Sequence, residues 1–261
     1  MTNHVDFPPN LPIHAWSGTL DVGDPVPRLQ ASPGAGWAQA LFCFDGLMRV
    51  EMSEGRWFIP DRFGIWLPAG TTPAVELKAR VEFQSFLLHP RFASRLDMPP
   101  APTVLRASPL IRGIGRRLMP GPPYDTAPTG PEKRRLGWVA LDEIARLDRP
   151  DLHLPGSGDP RLTKIMSRLL RRPAEANNLA RLADEVGSSE RTLSRLFRQD
   201  TGLSWREWRD RMRFVMAIEG IQIGRSSTEL SNWLGYSTPS AFVAAFRRQS
   251  GMTPGEWRHR R

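Results

Sequence analysis

The side chains with the most distinctive chemistry in this sequence are arginines and hydroxyls near residue 190. Arg191, Ser194 and Arg195 are three and four positions apart, so on a helix they would share one face. A guanidinium can donate two parallel hydrogen bonds to O6 and N7 of guanine. The spacing therefore predicts a helical face that could contact the edges of DNA bases. For each arginine, a phosphate contact or a solvated surface charge is the alternative interpretation.

The surrounding residues predict the helix that would carry this face. Its opposite side is apolar and contains Leu193, Leu196 and Phe197. Ser189 is a favoured N-cap residue, and Gly202 suits the position just beyond the helix end. We expect Ser189 and Thr192 to cap the helix and to contact the DNA backbone. A shorter apolar helix pattern and a turn at Gly187 come first, so residues 179–202 are predicted to form a helix-turn-helix unit.

The same plan recurs in residues 228–251, where Phe246-Arg247 follows Phe197-Arg198 at a separation of 49 residues. Ser237 or Thr238 is the expected N-cap, and Pro239 occupies the first helical position, where its missing N–H is tolerated. The residues of this second unit expected to face DNA are Thr238, Ser240, Val243, Ala244 and Arg247. This face offers few hydrogen-bond donors, so we expect phosphate contacts from Arg247 and apolar contacts to thymine methyl groups from Val243 or Ala244.

A continuous helical pattern over residues 204–223 connects the two units. These 20 residues would span about 30 Å at ~1.5 Å per residue, and one turn of B-DNA advances about 34 Å. A rigid helix of this length could place two recognition helices in successive segments of the major groove. Gly220 weakens the pattern, because glycine destabilises a helix interior by ~1 kcal/mol relative to alanine. A plain helical bundle is the structural alternative.

The charge distribution also separates the two halves. Residues 1–160 contain 17 Lys and Arg and 17 Asp and Glu, whereas residues 161–261 contain 19 and 10. The formal net charge of +9 therefore resides in the last 101 residues. A neutral half joined to a basic half indicates a module that binds a polyanion.

The N-terminal half has the pattern of short β-strands over residues 13–90. Residues 47–52 alternate apolar and charged side chains, and Asp45-Gly46 and Ser53-Glu54-Gly55 are turn signals. We predict a β-sandwich or barrel over residues 1–103. Five aromatic residues are candidates for lining an effector pocket or, alternatively, for filling the core: Trp37, Phe42, Phe44, Trp57 and Trp66. Cys43 lies in an apolar run and is interpreted as a core residue; the alternative is a redox-sensing thiol.

Helical spacing replaces the strand pattern over residues 104–148. The apolar stripes are Leu110, Ile114 and Leu118, followed by Leu136, Val139, Ala140, Ile144 and Leu147. These helices could pack on the barrel or form a dimer interface, and we expect both, with the second helix contributing to self-association. Residues 149–160 are rich in proline, glycine and aspartate, which predicts a domain linker. Residues 161–261 are then the DNA-binding domain, and residues 160–261 are expected to fold alone.

Several classes of protein are disfavoured. A single cysteine excludes an internal disulfide and fits a reducing cytoplasm. No apolar run approaches the ~20 residues needed to span a bilayer, and residues 1–12 lack a secretory signal pattern. The five histidines, at positions 4, 14, 89, 153 and 259, have no metal-ligand spacing. We therefore predict no enzyme activity, no metal, no cofactor and no membrane association.

The paired units resemble the DNA-binding domain of the AraC/XylS family of transcription regulators. The matching residues are Leu182-Ala183, Gly187, Ser189, Arg191 to Phe197 and Gly202 in the first unit, and Gly235-Tyr236, Ser240, Phe242, Phe246-Arg247, Gly251 and Thr253-Pro254 in the second. The resemblance implies an α+β protein: an N-terminal cupin-like β-barrel with flanking helices and an all-α domain with two helix-turn-helix units on a long helix. Gly46, Arg56-Trp57, Pro60 and the run from Trp66 to Gly70 are similar to the cupin-like sensing domain of one branch.

Members of that branch often carry metal-binding histidines at two places. This chain has Gln30-Ala31-Ser32-Pro33 and Thr71-Thr72-Pro73 there instead, which argues against a metal. The resemblance implies a sequence-specific regulator that binds double-stranded DNA, is controlled by a small-molecule effector, forms a homodimer, could contact RNA polymerase and works on the nucleoid in the cytoplasm. A cupin-type enzyme with an appended basic domain, or a chromatin-coating protein without sequence preference, are the competing hypotheses.

Overall fold

The computed structural model describes residues 11–24, 36–77, 80–119 and 128–259. The chain divides into two compact units, one containing residues 1–52 and 59–151 and the other containing residues 53–58 and 152–261. The boundary after residue 151 lies within the predicted linker. The assignment of residues 53–58 to the second unit could not be read from the sequence.

The first unit is built on a five-stranded antiparallel sheet in the order β1-β7-β2-β5-β8. Its strands are β1 (Ile13–Leu20), β2 (Ala38–Asp45), β5 (Phe63–Leu67), β7 (Val81–Leu88) and β8 (Thr103–Arg106). In the central strand β2, every residue from Ala38 to Phe44 is buried, so neither face of the sheet is open to solvent at this strand. Strand β3 (Leu47–Met52) pairs with β6 (Ala74–Leu77) in a separate ladder.

Two helices cover one face of the five-stranded sheet. They are α2 (Pro109–Leu118) and α3 (Gly130–Arg146), preceded in the chain by the short helix α1 (Pro90–Ala93). Ile111 and Ile114 of α2 and Ala140 and Ile144 of α3 join the same buried cluster as Phe86 of the sheet. This cluster provides the apolar burial that stabilises the unit.

The predicted α+β architecture is confirmed, but the barrel is not closed. The described strands form open antiparallel sheets, and β1 and β8 remain as opposite edges of the five-stranded one. Strand β8 is short, and the chain passes directly from it to the N-cap of α2. Helices therefore follow where a closed barrel would need further strands. The helical segment predicted from residue 104 begins later, since residues 103–106 pair with β5.

The helical stripes also differ from the predicted ones. Leu110 is 50% exposed and Val139 is 44% exposed, whereas Ile111 and Leu141 are buried. On each helix, a residue one or two positions further along the chain is buried in the cluster instead, because the exposed residues lie at the margin of the apolar face.

The second unit is helical apart from one short ladder. Its helices are α4 (Pro160–Arg171), α5 (Leu179–Asp184), α6 (Glu190–Thr201), α7 (Trp205–Gln222), α8 (Ser227–Leu234), α9 (Pro239–Ser250) and α10 (Pro254–His259), with a 3₁₀ helix at Pro173–Asn177. Strand β4 (Gly55–Pro60) pairs antiparallel with β9 (His153–Pro155). The predicted linker 149–160 is therefore partly wrong: it contains a strand with Leu154 buried, and Asp159 caps α4.

Candidate nucleic-acid interface

The first helix-turn-helix unit consists of α5 and α6. The Ser189 hydroxyl accepts a hydrogen bond from the backbone N–H of Thr192 at 3.2 Å, so the N-cap is as predicted. Gly187 and Gly202 adopt positive φ, and Gly202 ends α6 in the left-handed conformation. Leu193 and Phe197 are buried, which fixes which side of α6 faces the protein.

The opposite side of α6 is exposed and basic. Arg191, Ser194 and Arg195 are exposed, and Thr192 is half-buried. Across the described parts of the chain, no carboxylate or backbone group pairs with the guanidinium of Arg191 or Arg195. Both side chains therefore keep their hydrogen-bonding capacity for a ligand in solution.

The second helix-turn-helix unit consists of α8 and α9. Thr238 is the N-cap of α9, because its hydroxyl accepts from the N–H of Ala241 at 3.1 Å, and Pro239 occupies the first turn. Gly235 and Gly251 end α8 and α9 in the left-handed conformation. Phe242 and Phe246 are the buried anchors.

The exposed side of α9 is less polar than that of α6. Ser240 and Ala244 are exposed and Val243 is half-buried. Arg247 and Arg248 are exposed in the last turns of the helix. The predicted contact residues of each unit thus occupy one helix face, and the two faces differ in chemistry as expected from the sequence.

Helix α7 connects the two units and is buried along most of its second half. Ser204 and Glu207 form a capping box that starts it, and Ser204 lowers the pKa of the Glu207 carboxylate by hydrogen bonding. A methyl group added at Gly220 would lie 2.3 Å from Cδ2 of Leu230. Glycine at this position therefore permits the close approach of α8, which explains a residue that the helical pattern alone disfavours.

Two supporting contacts of the interface could not be predicted from the sequence. In the first unit, Trp208 is 1% exposed and donates from its indole nitrogen to the carbonyl of Pro155 at 2.9 Å. Its ring lies 5.5 Å from that of Phe197 in α6. The segment before α4 is therefore part of the support for the first recognition helix.

In the second unit, the supporting residue is the buried Arg213. It donates from Nη2 to Oδ1 of Asn177 at 2.7 Å, and its guanidinium lies 5.0 Å from the ring centre of Tyr236. Asn177 in turn donates to the carbonyl of Gly235 at 2.9 Å. Burial lowers the pKa of Arg213 and raises that of Tyr236. These contacts fix the turn of the second unit against the 3₁₀ helix.

The structure does not gather all the aromatic residues predicted to line an effector pocket. Phe42, Phe44 and Trp66 belong to the buried cluster of the first unit. Trp37 is half-buried, with its ring 5.0 Å from that of His89. Trp57 lies in the second unit, where it stacks on His153 at 4.3 Å.

Cys43 lies in the core, and the described residues contain no cluster of metal ligands. Cys43 is fully buried in β2, and burial raises the pKa of its thiol far above the ordinary range. Among the residues with a described position, no group of three or more His, Cys, Asp or Glu could hold a metal ion. Residues 30–33, where the family resemblance would place histidines, lie outside the described residues. In the same described part, no helix is long and apolar enough to cross a membrane.

Comparisons with known proteins agree with this geometry. Residues 182–260 match a family model described as a helix-turn-helix domain. The chain is 29% identical over 245 residues to the HTH-type transcriptional regulator NimR of Escherichia coli (strain K12), with 94% of this chain and 85% of that protein covered. It is 33% identical over 220 residues to the HTH-type transcriptional regulator RipA of Corynebacterium glutamicum, with 83% of this chain but only 60% of that protein covered.

A solved structure from Chromobacterium violaceum, a transcriptional regulator of the class with AraC-type DNA-binding domains, is 27% identical. The match covers 39% of this chain and 91% of the Chromobacterium violaceum chain, with a TM-score of 0.36. The curated relatives named here are all transcription regulators. Residues 182–260 belong to the helix-turn-helix domain family, and the chain is a DNA-binding transcription regulator of the AraC type.

Proposed function

We propose that the protein reads a specific sequence in double-stranded DNA, with hydrogen-bonded base recognition concentrated in the first unit. The observation that carries this proposal is the pair Arg191 and Arg195, which are exposed on the side of α6 opposite Leu193 and Phe197. Arginine can bind guanine through two hydrogen bonds, each such pair being worth ~1–3 kcal/mol of base discrimination.

The second unit anchors the complex. Ser240 and Ala244 offer little hydrogen-bonding chemistry, while Arg247 lies exposed near the end of α9. We assign Arg247 to a phosphate and Val243 or Ala244 to a thymine methyl group. Contacts with phosphates release counterions, so affinity should fall steeply with salt concentration.

Selection of bound sequences from a random DNA pool by the full-length protein tests the proposal and defines the operator. Arg195→Ala should then cost ~1–3 kcal/mol and relax base preference at one or two positions. Arg247→Ala is the matched control, since it removes the same side chain from the other recognition helix. It should weaken binding to all sequences about equally and make the salt dependence shallower.

Two results would contradict this assignment. If selection returns no enriched sequence although the protein binds duplex DNA, the protein coats DNA without reading it. If Arg247→Ala changes base preference and Arg195→Ala does not, the roles of the two units are reversed.

We further propose that α3 joins two copies in an antiparallel homodimer. Trp138 is 41% exposed and Val139 is 44% exposed, next to each other on the side of α3 that faces away from the sheet. A two-fold axis midway between them would place each Trp138 against Val139 of the second copy. The same axis would place Arg135, which is exposed, opposite Asp142, also exposed, and this pair would form twice.

Charge reversal tests the register of this dimer. Arg135→Asp should weaken the dimer in sedimentation equilibrium, because it sets two like charges opposite each other. Adding Asp142→Arg to the same chain exchanges the two charges and should restore the dimer. A dimer unaffected by the single change, or a double variant no better than the single one, would place the interface elsewhere.

The small-molecule effector is assigned to the first unit, in which three of the five predicted aromatic residues share the buried cluster: Phe42, Phe44 and Trp66. As a DNA-binding regulator, the protein is expected to act on the nucleoid in the cytoplasm. Thermal denaturation of the full chain against a library of small aromatic and anionic compounds identifies candidate effectors. A compound that raises the melting temperature without changing DNA affinity would not be an effector.

A further inference from the structure

Residues 53–58 come from the N-terminal part of the sequence but belong to the DNA-binding unit. We call these residues the insert. The chain reaches it from β3, which ends at Met52, and returns to the first unit at residue 59. Both ends of the insert are therefore covalently fixed to the first unit, and a change of backbone conformation there displaces the insert directly.

The insert docks on β9 by strand pairing. Gly55, Arg56 and Trp57 lie opposite Pro155, Leu154 and His153. The Trp57 ring stacks on His153 with 4.3 Å between centroids and 18° between planes. The N–H of Gly156 donates to the carbonyl of Glu54 at 3.0 Å.

Gly55 shows how closely the two segments approach. Its φ is +150°, and an added Cβ would lie 2.5 Å from the carbonyl oxygen of Leu154. The side chain of Trp57 is buried as well. The docked arrangement is thus a fitted contact with both backbone and side-chain components.

From β9, contacts continue to the first recognition helix. The carbonyl of Pro155 accepts from the indole N–H of Trp208, and the Trp208 ring packs on Phe197, the buried anchor of α6. The Ser157 hydroxyl donates to the carboxylate of Asp200 near the end of α6. Only β9 and the Trp208 side chain therefore lie between the insert and the helix that carries Arg191 and Arg195.

We propose that the docked insert is the regulatory input of the first helix-turn-helix unit. When docked, it holds β9 in place, so that Trp208 keeps its acceptor and α6 is preorganised for DNA. When the first unit pulls the insert away, the buried Trp208 N–H loses its partner and α6 loosens. DNA affinity then falls through the first unit, and the second unit is unaffected. This inference rests on the proposed function of α6.

The test uses the full-length protein and its selected operator. Trp57→Ala removes the stacking on His153, and Trp208→Phe removes the indole donor but keeps a ring. Each should weaken operator binding on the order of tenfold and reduce discrimination at the bases read by α6. The double variant should be no weaker than the more affected single one, because both changes interrupt the same chain of contacts. Trp16→Ala, a matched change on β1, should leave binding unchanged.

Amide hydrogen exchange of the free protein gives a second readout that needs no DNA. Exchange in α6 should accelerate in Trp57→Ala, while exchange in α9 stays at the wild-type rate. If Trp57→Ala disturbs the overall fold, His153→Ala removes the same stacking from the other side. The proposal would be overturned if the losses of operator affinity added up in the double variant, or if α6 exchanged at the same rate in Trp57→Ala and in the wild-type protein. A wild-type protein that binds no operator would instead refute the proposed function, while the exchange experiment would still test the insert.

Discussion

The contact between Trp208 and Pro155 predicts where the DNA-binding domain must begin to be fully stable. A fragment of residues 160–261 contains both helix-turn-helix units but lacks the carbonyl that Trp208 donates to. Since this side chain is 1% exposed, its N–H would remain buried without a partner. A buried donor left unpaired costs about 1–3 kcal/mol.

The shorter fragment also loses the cap of α4. Asp159 accepts from the N–H of Arg161 at 2.8 Å, and removal of such a cap costs about 0.5–2 kcal/mol. The fragment of residues 152–261 keeps the Pro155 carbonyl but lacks the insert, residues 53–58, on which β9 pairs in the full chain. If β9 stays docked without the insert, the two losses together make residues 160–261 roughly 1.5–5 kcal/mol less stable than residues 152–261, and a difference no larger than the share of the cap would show that β9 needs the insert. With a urea m-value of about 1–2 kcal/mol/M for a domain of this size, the full loss should lower the unfolding midpoint by roughly 1–5 M.

Urea unfolding of both fragments, followed by circular dichroism, measures this difference. Trp208→Phe in the longer fragment is the control, because it removes the donor and keeps the aromatic packing. It should reproduce only a part of the loss, since the cap of α4 remains. Equal midpoints for the two fragments would show that the segment before residue 160 contributes nothing, and the support assigned to α6 would be wrong.

Three further outcomes are expected. Gly220→Ala should destabilise the protein by about 1–3 kcal/mol in urea unfolding, because the added methyl group clashes with Leu230. Gly113→Ala, where an added Cβ meets nothing within 4 Å, should stabilise it by about 0.5–1 kcal/mol. Stability changes of the same sign in both variants would contradict the packing around Gly220. Cys43 should fail to react with a thiol reagent at pH 8 until the protein unfolds, and rapid labelling of the native protein would show that β2 is open. The hydrogen bonds from Arg161 lower the pKa of Asp159 to about 2. The charge of Asp159 therefore stabilises the fold above the unfolded-state pKa of ~3.9, and this contribution is lost as the pH falls towards 2. The difference in unfolding free energy between the wild-type protein and Asp159→Asn should shrink over that interval, and a constant difference would show that the charge of Asp159 does not stabilise the fold.

The recognition helices could be predicted from the sequence because their signals are local. Ser189 and Thr238 each cap the N–H group three residues ahead, and Gly202 and Gly251 end their helices with positive φ. Each signal depends on the residue and its immediate neighbours, so it is visible without knowledge of the tertiary fold. The roles of individual residues in DNA contact stay predictions.

Other features were hidden because they depend on contacts between distant residues. Strand β9 has three residues and ends in a proline, and its partner lies about a hundred residues earlier in the chain. The sequence around this strand is rich in proline, glycine and aspartate, so without its partner strand it is indistinguishable from a linker. The same holds for the buried Arg213, whose guanidinium donates to Asn177 and to the carbonyl of Gly235 and lies over the ring of Tyr236.

The two units differ in their supports as well as in their faces. The second unit is held by contacts internal to the helical domain, through Arg213 and the 3₁₀ helix. The first is held through Trp208 by a strand whose partner, the insert, is tied to the N-terminal unit. Base reading is assigned to the unit with the external support, and phosphate anchoring to the unit with the internal one. A conformational change in the N-terminal unit would then reduce the preference for the operator sequence, while the phosphate contacts of the second unit keep the protein on DNA. With this separation of roles, a regulator can leave its operator without dissociating from DNA.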